Sequence, residues 1–115
     1  MERFETIKSL ETANYRIDYA VAPDDDLDLS WDEDGSTARG LESGQYVAFV
    51  ARVQVVHKPT DTVMGADYLG GCVYESPETF IRGSMYFRDM VSEACQAARE
   101  NAKRLGAIRL RSPQS

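Results

Sequence analysis

The residues that carry most enzyme chemistry are scarce here: two cysteines, one histidine and one tryptophan among 115 residues. Cys72 and Cys95 stand apart, with no CxxC pair, and read as reduced, packed thiols rather than a redox or zinc motif. His57, beside the Lys58 and Pro59 turn, lacks a nucleophile: a hairpin turning near Thr60 opposes it to Thr62–Met64, well away from Cys72. One histidine and two separated cysteines also fall short of the four ligands of structural zinc. Gly70 and Gly71 are framed by neither GxxxxGK[ST] nor GxGxxG, so they read as a structural bend and not a phosphate loop. With none of these constellations, the expectation is a protein that is not an enzyme and that needs no cofactor or metal.

Long apolar runs are missing too. Nothing approaches the roughly 18 residues that span a bilayer, and the opening Met1 to Glu5 lacks a charged-then-apolar export pattern. The reading is a soluble, cytoplasmic protein with no membrane partner. No internal repeat is visible, and the length suits one domain over residues 1–115. A compact chain of this mass buries about two-thirds of its unfolded surface, enough for one real core.

What is abundant is acid, and it is local. The formal charge is −6, yet residues 1–34 hold 11 acidic against 3 basic side chains, and the remainder is slightly basic. Charge so concentrated is an argument about partners rather than about fold.

Periodicity gives the elements. Phe4, Ile7 and Leu10 recur every third residue, which suits a short amphipathic N-terminal helix over 2–13. Tyr15, Ile17, Tyr19 and Val21 alternate with polar residues as a strand does, and Pro23 ends it. Residues 23–44 read as an acidic loop. Val47, Phe49, Ala51, Val53 and Val55 line one face of a second strand, and Thr62–Tyr74 returns as its hairpin partner, with Gly65 and Gly70–Gly71 marking a bulge or a close backbone approach. Ser76, Pro77 and Glu78 start a short helix that Gly83 breaks. Ser84 caps a longer one, with Phe87, Met90, Val91, Ala94, Ala98, Ala102 and Leu105 on one stripe and Gly106 placed to end it. Residues 107–110 suit a short edge strand. The expected fold is α+β: a three-stranded antiparallel sheet with one long C-terminal helix packed on a face, preceded by a short N-terminal helix.

The candidate site is the acidic run. Asp24, Asp25, Asp26, Asp28, Asp32, Glu33 and Asp34 place seven carboxylates in eleven residues with no Lys or Arg between them. A purely solubilising tract has no use for an indole, whereas Trp31 amid polar groups is the composition of an interface hot spot. Leu27, Leu29 and Trp31 alternate, so dipping into the core is the competing reading, and a solvated, self-repelling loop is the plainest one. A calcium loop fits poorly: Asp24, Asp26 and Asp28 match its first ligand positions, but Leu29 stands where the turn glycine belongs and Gly35 where the bidentate Glu belongs. The DxDxS string from Asp26 to Ser30 lacks the large parallel sheet that aspartate-nucleophile phosphatases require, and is a coincidence.

Direct nucleic-acid binding is not expected. Helix, three strands and helix is the element order of double-stranded-RNA-binding domains, which contact phosphates from the start of the final helix. Here that start, Met85 to Asp89, is nearly uncharged, and the basic residues gather at the far end.

The segment from Tyr15 to Trp31 (YRIDYAVAPDDDLDLSW), the string from Leu69 to Tyr74 (LGGCVY) and the helix opening Phe87 to Val91 (FRDMV) together resemble short uncharacterised acidic proteins of bacteriophages and mobile elements, over residues 15–105. No catalytic or ligand-binding residues carry over. What the resemblance implies is an anti-CRISPR-type inhibitor. It would act in the bacterial host cell on a basic partner such as a CRISPR surveillance complex, its carboxylates imitating DNA phosphates. The alternative expectation is a self-associating structural or assembly protein, a homodimer through Tyr46, Ala48, Val50 and Val56 on the second sheet face, with the acidic run merely solvated.

Overall fold

Apolar side chains at every second position commit Tyr15–Val21 and Val47–Val55 to strands, and two such strands need a common cover for their apolar faces. The computed structural model, which describes residues 3–83 and 85–111 (the last six without side chains), supplies that cover with one long helix. In order the elements are β1 (Glu5–Glu11), β2 (Tyr15–Pro23), α1 (Ser36–Ser43), β3 (Val47–His57), β4 (Thr62–Tyr74), α2 (Pro77–Gly83) and α3 (Met85–Arg111). The fold is α+β, and the strands form a single antiparallel sheet in the order β1-β2-β3-β4.

The sheet has four strands, not three, because the expected N-terminal helix is β1. A bulge explains the misleading spacing. The register of β1 against β2 shifts between Thr6 and Lys8, and Ile7 packs against the edge of the core while Phe4 lies on the opposite face. There its ring meets Tyr68 edge-on at 6.1 Å and stacks under the Arg52 guanidinium at 4.3 Å. The extra residue brings Leu10 back to the same face as Ile7, so for this pair the strand reproduces the three-residue step of a helix, while Phe4 stays on the other face.

The core lies between the sheet and α3. Register brings Tyr19 beside Val53, Val21 beside Ala51, and Phe49 beside Cys72, and Met90, Ala94 and Ala98 of α3 close over them. Phe80, the buried residue of α2, sits at the centre of an aromatic cluster with Tyr19, Phe49, Tyr74 and Phe87, all at centroid distances of 5.1–6.3 Å. The Tyr19 hydroxyl donates to the Pro77 carbonyl at 2.9 Å, tying α2 to the sheet.

Gly65 decides how α3 lies. A Cβ there would stand 2.3 Å from the Ala94 carbonyl oxygen and 2.7 Å from the Ala98 nitrogen, so helix and strand backbones touch. The Asn101 side-chain amide fixes the same approach by donating to the Met64 carbonyl. As a result α3 runs along β4 and β3 and is displaced away from β1.

Three further expectations are corrected. The loop at 23–44 contains α1, whose two apolar side chains, Ala38 and Leu41, are too few to announce a helix. Gly106 does not end α3, and residues 107–110 continue that helix rather than forming an edge strand: one glycine costs about 1 kcal/mol, which the helix formers around it outweigh. The apolar stripe of α3 is covered as far as Ala98 but open at Ala102 and Leu105, where the sheet ends. The Ser84 cap lies outside the described residues. Among those residues no helix is long and apolar enough to cross a membrane.

Candidate partner-binding site

A run of seven like charges would extend if nothing held it. It is held by its own side chains. Past Pro23 the sheet ladder continues through the Asp24 amide, which donates to the Ala48 carbonyl at 3.2 Å. The Asp24 carboxylate then accepts the Gly71 amide at 2.8 Å and the Asp26 amide at 3.1 Å. Gly71, in the left-handed region at φ 71°, lies where the register of β3 against β4 shifts, and this turn aims its N–H at the loop.

Further along, Asp28 accepts the Ser30 amide at 2.9 Å and Asp34 the Ser36 amide at 2.9 Å, both two residues on in the manner of Asx turns. Asp32 accepts the amides of Thr37 at 3.2 Å and Ala38 at 3.0 Å, one on each oxygen. With the Arg39 amide on the Gly35 carbonyl, every N–H of the first turn of α1 has an acceptor, and three of the four acceptors are carboxylate oxygens. The helix exists because the acids precede it. It ends at Gly44, at φ 83°, and Tyr46 folds back on it: the Tyr46 amide donates to the Gly40 carbonyl at 3.1 Å, and the ring lies so near that a Cβ on Gly40 would be 2.3 Å from it.

Hydrogen bonding to backbone N–H favours the charged form of a carboxyl. Asp28 and Asp34 are accordingly held below the ordinary carboxylate value, chiefly by the Ser30 and Ser36 amides and then by the same residues' hydroxyls. Capping fixes these groups without neutralising them. Asp25 is partly offset by the Arg3 guanidinium at 2.6 Å, an exposed pair of small energetic weight. The Asp26 and Glu33 carboxylates have no partner among the described residues.

The alternation of Leu27, Leu29 and Trp31 resolves into two roles. Both leucines are half-buried and hold the loop down, whereas Trp31 is 58% exposed. Its indole stands between two hollows. One, of about 330 Å³, is lined by Asp32, Glu33, Asp34, Ser36 and Thr37; the other, of about 320 Å³, by the Leu69–Tyr74 stretch of β4 and by Tyr86. Tyr86, also exposed, was not apparent as a site residue from sequence: it is 55 positions from Trp31 in the chain, and only the return of α3 brings it near. Arg3 was likewise out of reach.

The carboxylates of Asp28, Asp32 and Asp34 accept backbone amides just ahead of them in the chain, and among the described residues no group of three or more His, Cys, Asp or Glu side chains converges to hold a metal ion. His57 opposes Thr62, and its Nδ1 lies 2.8 Å from the Thr60 hydroxyl, while Cys72 opposes Phe49, eight residues along β3. At about 3.3 Å per residue the two side chains are roughly 26 Å apart. Burial pushes the Cys72 thiol up to about 11, so it stays neutral.

On the second sheet face, Tyr46 precedes β3 and belongs to the α1 contact. Val56 is buried and Ala48 and Val50 are half-buried, but Val63 and Tyr68 are about half exposed there.

The geometry defines a class: a single-sheet α+β protein carrying a self-capped acidic loop with an outward indole. Comparison with protein-family models, with curated proteins and with solved structures finds no match to this chain.

Proposed function

We propose that this chain is a non-enzymatic binding protein of the phage-inhibitor kind. It presents Asp24–Asp34 to a basic, nucleic-acid-binding groove on a bacterial host protein or complex, such as a CRISPR surveillance complex, in the cytoplasm. The observation that supports the reading is the exposed Trp31 in a loop where hydrogen bonds to backbone amides fix the carboxylates of Asp24, Asp28, Asp32 and Asp34, those of Asp28 and Asp34 being held in the charged form. A loop ordered before binding pays little conformational entropy on docking. Its charges steer the encounter and occupy the sites of phosphates, and the indole supplies the desolvated anchor.

The test is a pull-down from bacterial lysate at low and high salt with three proteins: the parent, Asp24→Asn/Asp25→Asn/Asp26→Asn/Asp28→Asn, and Trp31→Ala. Asparagine retains one acceptor oxygen, which keeps the single amide bond of Asp28 and one of the two at Asp24, and circular dichroism checks that the fold is unchanged. The expected result is a basic nucleic-acid-handling protein recovered by the parent at low salt, displaced by added DNA, and lost from both variants. Equal recovery by the quadruple variant would sink the proposal.

A second reading, self-association through the open sheet face, is favoured by the exposure of Val63 and Tyr68. Light scattering decides it: a dimer that Tyr68→Glu converts to monomer supports this reading, and a monomeric parent removes it.

A further inference from the structure

The displacement of α3 leaves one edge of the sheet open on the helix side. Four strands at about 4.8 Å make a sheet wider than the roughly 10 Å of one helix. With α3 drawn onto β4 by Gly65, the strip over β1 and the start of β2 is open, while Tyr19 and Val21 further along β2 stay covered. Leu10 is 48% exposed and Tyr15 and Ile17 only half-buried along it.

Two hollows follow this strip beside α3. One, of about 670 Å³, lies between Leu10 and the Phe87–Val91 stretch; the other, of about 300 Å³, lies between Ile17 and the Cys95–Ala102 stretch. On α3 their wall is Arg88, Val91, Cys95, Arg99 and Ala102, steps of three and four residues that make one continuous stripe. From Arg88 to Arg99 the stripe spans about three turns, roughly 16 Å.

The charge along this groove has one sign. Arg82, Arg88 and Arg99 line it, neither hollow includes an Asp or Glu, and none of the three guanidinium groups has an ion-pair partner among the described residues. We infer that the groove beside α3 binds an amphipathic helix of another protein, its apolar face on Leu10, Ile17 and Tyr15 and a row of carboxylates facing Arg88 and Arg99. A second copy does not supply such a helix. The acids of α3 (Asp89, Glu93 and Glu100) lie on its solvent ridge, opposite the apolar stripe already spent on its own sheet, and the acidic segment 24–34 is folded into turns and anchored to β4. This surface is separate from the acidic loop, and its occupation does not depend on the loop's partner.

The experiment uses fluorescein-labelled model helices with a Leu/Phe stripe. Two carry Glu along one or the other flank, and two carry Lys in the same positions. Anisotropy reads binding, and iodoacetamide alkylation reads Cys95, which lines the groove while Cys72 is buried. One Glu helix is expected to bind saturably and to slow Cys95 alkylation. Arg88→Glu/Arg99→Glu, both exposed positions, weakens that helix by about tenfold or more and gains affinity for a Lys helix. Leu10→Asp, with unchanged circular dichroism, also abolishes binding. The inference is overturned if no Glu helix binds, if Lys helices bind the parent equally well, or if Cys95 reacts at the same rate with the helix bound. It is overturned too if the parent is a dimer whose Cys95 becomes reactive only on dilution, since a second copy is then the occupant.

Discussion

Asp32 does more for its neighbourhood than its exposure implies. Its two oxygens hold consecutive amides of a helix of eight residues, too short to persist on propensity alone. Replacing Asp32 with Ala removes both acceptors and should cost about 1 kcal/mol, read as faster amide exchange at Thr37 and Ala38 and a lower melting temperature. Asp32→Asn keeps one acceptor and should lose less. Protonation acts on the same bonds through Asp28 and Asp34. Their folded values lie below the ordinary 3.8, so their contribution to loop order is complete above that pH and is lost as pH falls through the lower folded values. The Ser30 and Ser36 amides are expected to stay protected at pH 5 and to exchange freely in strong acid before the core unfolds; unchanged protection down to global unfolding would contradict the capping argument. At this scale the sequence was half legible. The seven acids and the indole were plain, but whether a given Asp caps or faces solvent depends on which amide lies within reach, and a composition-based reading of the run as simply solvated or simply sticky misses that it is structural and charged at once.

Among the elements, α2 and α3 test how small features place large ones. α2 has seven residues and is pinned by Phe80, whose ring touches four other aromatic rings. Phe80→Ala should cost about 4 kcal/mol, measured as a fall in the urea midpoint with little change in slope. Gly65→Ala forces a methyl group into the α3 backbone, and since neither backbone can yield cheaply it should cost about 2–3 kcal/mol. If Gly65→Ala is neutral by urea titration, close helix–strand contact is not what sets the position of α3. Strands β2, β3 and β4 and both C-terminal helices were readable, since alternation and an apolar stripe survive in one dimension. β1 was not, because its bulge borrows the period of a helix. α1 was not, because its apolar face is only Ala38 and Leu41 and its first turn depends on carboxylate caps.

The molecule as a whole is elongated. Its radius of gyration is 17.7 Å, against about 13 Å for a compact chain of this length, and it exposes 7869 Å², against roughly 6,300 Å² for a compact one. The surface so gained is divided by charge, with the acidic loop at the β2 end and the arginine-lined groove beside α3. Binding through the loop should weaken steeply as salt rises through the physiological range, and with Asp26→Asn/Glu33→Gln, which touch no backbone bond, that slope should flatten while the fold is unchanged. An affinity indifferent to salt would point to Trp31 and its hollows alone. The amino-acid sequence by itself determined the α+β class, the hairpin of β3 and β4, the concentration of charge before Asp34 and the single indole within it, because these are properties of neighbours along the chain. Only the tertiary structure decided the fourth strand, the capping of α1 by the acids, the seat of Trp31 opposite Tyr86 and the bare strip beside α3. Each of these depends on which distant backbone approaches closely enough to accept a bond or exclude a side chain, and one glycine facing a helix carries no mark of it in the sequence.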